Sequence, residues 1–97
     1  MKSQILTIVD KKYNISQFYA DRKRLIEIAK NRIAYYSSDM TTFRVTFSDK
    51  VLGLCVDVYL STKTVMLRKK SSNNLCILRK QSWRKISSIF NNLYNYV

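Results

Sequence analysis

The chain has no histidine and no proline, a single glycine at Gly53, two cysteines at Cys55 and Cys76, and no acidic residue after Asp57. Each absence closes off a class of chemistry. Without histidine, general acid–base catalysis near neutral pH falls to pairs of tuned carboxylates. Here Asp10, Asp21, Glu27, Asp39, Asp49 and Asp57 stand singly along 97 residues. One glycine cannot make a glycine-rich phosphate loop. Two thiols without an imidazole fall short of a four-ligand zinc site. The expectation is a protein that is not an enzyme and carries no metal and no cofactor. No apolar run approaches the roughly 20 residues of a membrane span, and the opening MKSQILTIVD lacks the long apolar stretch and small-residue cleavage site of a secretory signal. This predicts an intracellular chain that does not enter a membrane. In a reducing compartment Cys55 and Cys76 read as small, semi-buried strand residues, with a disulfide between neighbouring strands as the alternative.

What is present is positive charge. Lys63, Arg68, Lys69, Lys70, Arg79, Lys80, Arg84 and Lys85 follow Asp57 with nothing negative among them, and the whole chain carries +12. Like charges crowded into one fold repel one another and weaken the compact state until an anion neutralises them. A polyanion is therefore the expected partner, nucleic acid first among the candidates. The chain is not a disordered basic arm, because 46% hydrophobic and 12% aromatic residues are enough to build a core.

The pattern predicts one domain over residues 1–97, with 1–40 an N-terminal extension and 41–97 a sheet-plus-helix core. Gln4 to Val9 form a short apolar run suited to an extra edge strand. From Ser16, a plausible N-cap, to about Tyr36, apolar residues recur at three and four positions and predict a helix. Its basic residues, Arg22, Lys23, Arg24, Lys30 and Arg32, suit plain solvation, contact with nucleic acid or a membrane surface. Then come segments of strict alternation: Phe43, Val45 and Phe47; Leu52, Leu54, Val56, Val58 and Leu60; Val65 and Leu67. With a short apolar segment from Leu75 to Leu78 they predict a four-stranded antiparallel meander with one buried face. A second helix is expected from Lys80 or Ser82 to the end, with Trp83, Ile86, Phe90, Leu93 and Val97 in a stripe. That stripe fits packing on the sheet. Its spacing also suits a seam between two subunits, so Ile86, Phe90, Leu93 and Val97 are candidates for a homodimer interface.

Alternation sorts the charges as well. If Leu54, Val56 and Val58 face the core, Tyr59, Lys63 and Arg68, with Arg44 and Lys70, fall on the opposite face or its edge. Cations that follow phosphates, interleaved with rings that stack on bases, are the equipment of single-strand binding. The candidate nucleic-acid contacts are Arg44, Lys50, Lys63, Arg68, Lys69, Lys70 and Lys80 for phosphates, and Phe47 or Tyr59 for bases. A solvated face that merely carries charge is the alternative.

The second half also resembles the positive-cofactor-four family of transcriptional coactivators and their viral and bacterial relatives. Leu54-Cys55-Val56-Asp57-Val58-Tyr59 looks like that family's second strand with its aspartate. Leu78-Arg79-Lys80-Gln81-Ser82-Trp83 places a helix-borne tryptophan five residues after a strand-ending leucine, as the family does. The likeness covers Phe43 to about Leu93. The family's hairpin glycines are replaced at Ser48, Asp49 and Asn74, and the helix from Ser16 lies outside its core. The resemblance implies a curved four-stranded antiparallel sheet followed by a helix, a homodimer, and binding of single-stranded or melted DNA in support of transcription or replication. It also implies a setting of nucleic-acid metabolism, whether nuclear, organellar or viral. RNA is a possible ligand too. Other readings are a structural RNA-associated component of a ribosome or virion, and a basic regulator that binds an acidic protein.

Overall fold

The computed structural model describes residues 13–30, 35–39, 42–49, 53–71 and 75–96. The expected strand at Gln4 to Val9, together with Lys50 and Val97, lies outside the described residues. The elements run α1 (Ile15–Ala29), β1 (Tyr35–Asp39), β2 (Arg44–Asp49), β3 (Leu54–Tyr59), β4 (Thr64–Lys69), β5 (Leu75–Leu78) and α2 (Trp83–Asn91), followed by a 3₁₀ turn over Leu93–Asn95. This is an α+β fold: an antiparallel meander in the order β1-β2-β3-β4-β5, with two helices that touch each other. Among the described residues no helix is long and apolar enough to cross a membrane.

The sheet has five strands where the alternation suggested four. The extra strand starts with Tyr35 and Tyr36, which were expected to end the first helix, and runs on to Asp39; the helix itself stops at Ala29. Tyr35 and Tyr36 favour strands, while Ser37, Ser38 and Asp39 are poor helix formers. Pairing of the segment with β2, Tyr35 opposite Ser48 and Asp39 opposite Arg44, outweighs the helical spacing. At the other end of α1 the cap is Asn14 and not Ser16. Its side-chain oxygen accepts from the Gln17 N–H at 2.8 Å, which satisfies one of the free amides of the first turn.

β2, β3 and β4 alternate between their faces as their sequence suggests, and pairing with β4 fixes the register of β5, which its short pattern left open. On one face, Val45, Val58, Val65 and Leu78 lie side by side, and so do Phe47, Val56, Leu67 and Cys76. Both helices share their core with this face: Phe18, Leu25 and Ala29 from α1, and Ile86, Ile89 and Phe90 from α2. Phe47 meets Phe90 edge-on with ring centroids 5.2 Å apart. Burial of each such side chain contributes roughly 1.5–3 kcal/mol. Turns set the register. Gly53 has φ +67°, a region costly for residues with a Cβ, and its N–H returns to the Asp49 carbonyl at 2.8 Å.

The seam expected on the last helix is corrected by this packing. Ile86 is 0%, Phe90 1% and Leu93 5% exposed within a single protomer. They are covered by the protomer's own core and offer no surface to a second copy. The helix also ends earlier than its stripe suggested, at Asn91, where Asn92 leaves helical geometry and its N–H bonds to the Ile89 carbonyl. Cys55 and Cys76 are free thiols on opposite faces of the sheet, Cys55 beside Arg68 and Cys76 beside Leu67, so they are not a cross-strand disulfide.

Candidate functional site

The face of the sheet away from the core is built from three rows. Arg44, Tyr59 and Thr64 form the first, Thr46, Asp57, Met66 and Ile77 the second, and Ser48, Cys55, Arg68 and Leu75 the third. The middle row is not basic. Asp57 sits in it, accepting a hydrogen bond from the Thr46 hydroxyl at 2.7 Å, beside two apolar side chains. The cations of this face therefore stand toward its two ends, Arg44 at one and Arg68 at the other, and not at its centre.

The six-residue strands hold those ends about 17 Å apart. Arg44 and Tyr59 belong to one end, and the Arg44 guanidinium lies 5.9 Å from the centre of the Tyr59 ring. Just beyond Tyr59, the β3–β4 turn carries Lys63. The segment leaving β5 brings Arg79 and Lys80 to the same end. There the Gln81 N–H donates to the Lys63 carbonyl at 3.0 Å, tying the two connections together. Lys63 at φ 52° and Lys80 at φ 55° are both held in the left-handed region, a conformation that costs a residue with a Cβ roughly 1–2 kcal/mol.

The start of α2 closes this end. Ser82 caps the helix by accepting from the Lys85 N–H at 3.2 Å, and Trp83 follows it, half-buried. The Trp83 ring is bracketed by cations from two other elements, with Arg24 of α1 at 4.8 Å and Lys63 at 5.7 Å from its centre. An open groove of about 470 Å³ runs between the turn and the helix, lined by Ser61, Thr62, Lys63, Lys80, Gln81, Ser82 and Trp83.

The carboxylates described are engaged elsewhere. Asp21 accepts from the Tyr13 hydroxyl at 2.8 Å and the Gln17 amide at 3.0 Å, and Glu27 pairs with Lys30 at 3.3 Å on the surface of α1. Among the described residues, no carboxylate lies within ion-pair distance of Lys63, Arg68, Lys70, Arg79, Lys80, Arg84 or Lys85. No cluster of three or more metal-ligating side chains occurs among them either.

The sites expected from the sequence are therefore divided. Arg44, Tyr59, Lys63 and Lys80 gather at one end. Arg68 and Lys70 lie at the other, Arg68 exposed on the open face and Lys70 in the turn, where its N–H bonds to the Gly53 carbonyl at 2.7 Å. Lys69 shares a row with Leu54 and Asp49 at the rim of the helix-covered face, not on the open face. Phe47 is corrected outright: at 1% exposure its ring fills the core and cannot reach a base. Its position in the run Phe43, Val45, Phe47 already pointed inward. Sequence reasoning missed Trp83 and Arg24 as site residues, since each sits in a helical pattern that explained it as packing or solvation. The available signal was the run Arg79, Lys80, Ser82, Trp83, which puts cations and a ring at a helix start.

No family model matches this chain, and no curated protein and no solved structure matches it either.

Proposed function

We propose that the protein binds single-stranded or unpaired nucleic acid, DNA in preference to RNA, without catalysis, and that the binding surface is the end of the sheet where β3, β4, β5 and α2 meet. The observation that carries this reading is the pairing of cations with rings there: Arg44 with Tyr59, and Arg24 and Lys63 with Trp83. Phosphates draw the cations and unstacked bases take the ring faces, which a duplex with its bases paired cannot offer. A role in transcription or replication, as the coactivator resemblance suggests, belongs to the same proposal.

If about five cations, Arg44, Lys63, Arg79, Lys80 and Arg84, touch phosphates of one strand, log K falls with log salt at a slope near −3.5, from about −0.7 per contact. Titration of single-stranded DNA, RNA and duplex DNA of equal length at two salt concentrations measures this. The single strands are expected to bind more tightly than the duplex, DNA ahead of RNA. A slope near zero would remove the electrostatic basis of the proposal.

A homodimer is part of the proposal, with its surface moved from α2 to the β5 edge. There Leu75 is 52% and Ile77 40% exposed, next to Met66 on the open face. A second copy pairing antiparallel along β5 continues the sheet and covers both side chains by symmetry. Leu75→Glu with Ile77→Glu is expected to turn a dimer into a folded monomer in sedimentation equilibrium. A wild-type protein that is monomeric at micromolar concentration contradicts this part.

A further inference from the structure

The groove beside Trp83 has features that general attraction to a phosphate backbone does not require. It is about the size of one nucleotide, at roughly 470 Å³, within the ordinary range for small-ligand sites. It pairs one flat ring with two lysines, and both lysines come from connections bonded to each other. An internal phosphodiester brings one negative charge to such a site, whereas a phosphomonoester brings close to two at neutral pH along with a third free oxygen.

We propose that this groove is a site for a phosphomonoester carried next to a base, met either as a free nucleoside monophosphate or as the phosphorylated end of a single strand. Lys63 and Lys80 take the phosphate, and the adjoining base lies on Trp83 in place of the Arg24 guanidinium. The inference rests on the single-strand reading above but makes a narrower claim, about the end of the strand and not its length.

Trp83 is the only tryptophan in the chain, so its emission reports on this groove alone. Calorimetry and Trp83 fluorescence would be recorded with adenosine 5′-monophosphate, adenosine, ribose 5-phosphate and inorganic phosphate. They would be recorded also with one single-stranded oligonucleotide bearing a 5′-phosphate, a 3′-phosphate or hydroxyls at both ends. The monophosphate is expected to quench Trp83 and to bind about tenfold more tightly than adenosine, ribose 5-phosphate or inorganic phosphate, the effect of one added charged contact or one stacked ring. Lys63→Asn with Lys80→Asn, chosen because asparagine tolerates the left-handed backbone, should remove that advantage with the melting temperature kept. A phosphate-bearing oligonucleotide that gains about tenfold over the hydroxyl-ended one identifies the strand end as the source. A gain for the free nucleotide alone identifies the free nucleotide. If the oligonucleotide binds irrespective of its ends and the monophosphate does no better than inorganic phosphate, the inference fails while the single-strand reading stands. If no oligonucleotide and no nucleotide binds, both fail.

Discussion

Phe47→Ala is expected to cost about 3–5 kcal/mol of stability, the usual range for emptying a buried phenylalanine site. Against a total of about 5–15 kcal/mol for a single domain, that brings the protein near the point of unfolding. The ring is 1% exposed, lies between Val45 and Asp49 on the covered side of β2, and meets Phe90 of α2 edge-on at 5.2 Å. Its removal therefore leaves a cavity at the contact between the sheet and its last helix. Phe90→Asp should be worse, because it adds an unpaired buried charge to a similar void. Urea unfolding of the two variants, beside Phe47→Leu as a milder control, provides the comparison. Phe47→Leu should retain most of the stability and all of the oligonucleotide binding. A Phe47→Ala protein with normal stability but lost binding would place the ring outside the core. A Phe90→Asp protein that folds and merely dissociates would return α2 to the role of a subunit seam.

How much of this was legible beforehand differs from element to element. The alternation in β2, β3 and β4 was readable because one face of an antiparallel sheet is buried and a slip of one residue would expose every apolar side chain. Leu54, Val56 and Val58 fall inward, with Asp57 and Tyr59 outward, as the pattern required. The β1 strand was not readable. Tyr36 continued a three-and-four spacing from α1, and only its pairing with β2 settles the segment as a strand. The stripe on α2 had two explanations that periodicity cannot separate, because a helix buried against its own sheet and one buried against a neighbour need the same spacing.

The site was partly legible for a related reason. Alternation assigns a side chain to a face but not to a position along it, so Lys63, Arg68 and Lys70 looked like one group. Register separates them by the length of a strand. The gathering of Arg24, Lys63, Lys80 and Trp83 depends on how three distant segments meet, and on two lysines in left-handed conformations that no local pattern announces.

The central claim, that single-stranded nucleic acid is held at the Trp83 end of the sheet and not by diffuse positive charge, is open to one comparison. Lys63→Glu, Arg79→Glu and Lys80→Glu reverse three charges at that end. Arg68→Glu, Lys69→Glu and Lys70→Glu reverse three charges at the opposite end, where β4 stops. Each reversal changes the charge by two, so both variants fall from +12 to +6. Their long-range fields are then similar, and position is what differs. Loss of three phosphate contacts at about 1 kcal/mol each corresponds to about a 100-fold weaker complex, and carboxylates facing the strand add to that. The first variant is expected to lose at least about 100-fold in affinity for a single-stranded DNA oligonucleotide, and the second only a few-fold, with circular dichroism and melting showing both folded. Equal losses, or a greater loss in the second variant, would contradict the account.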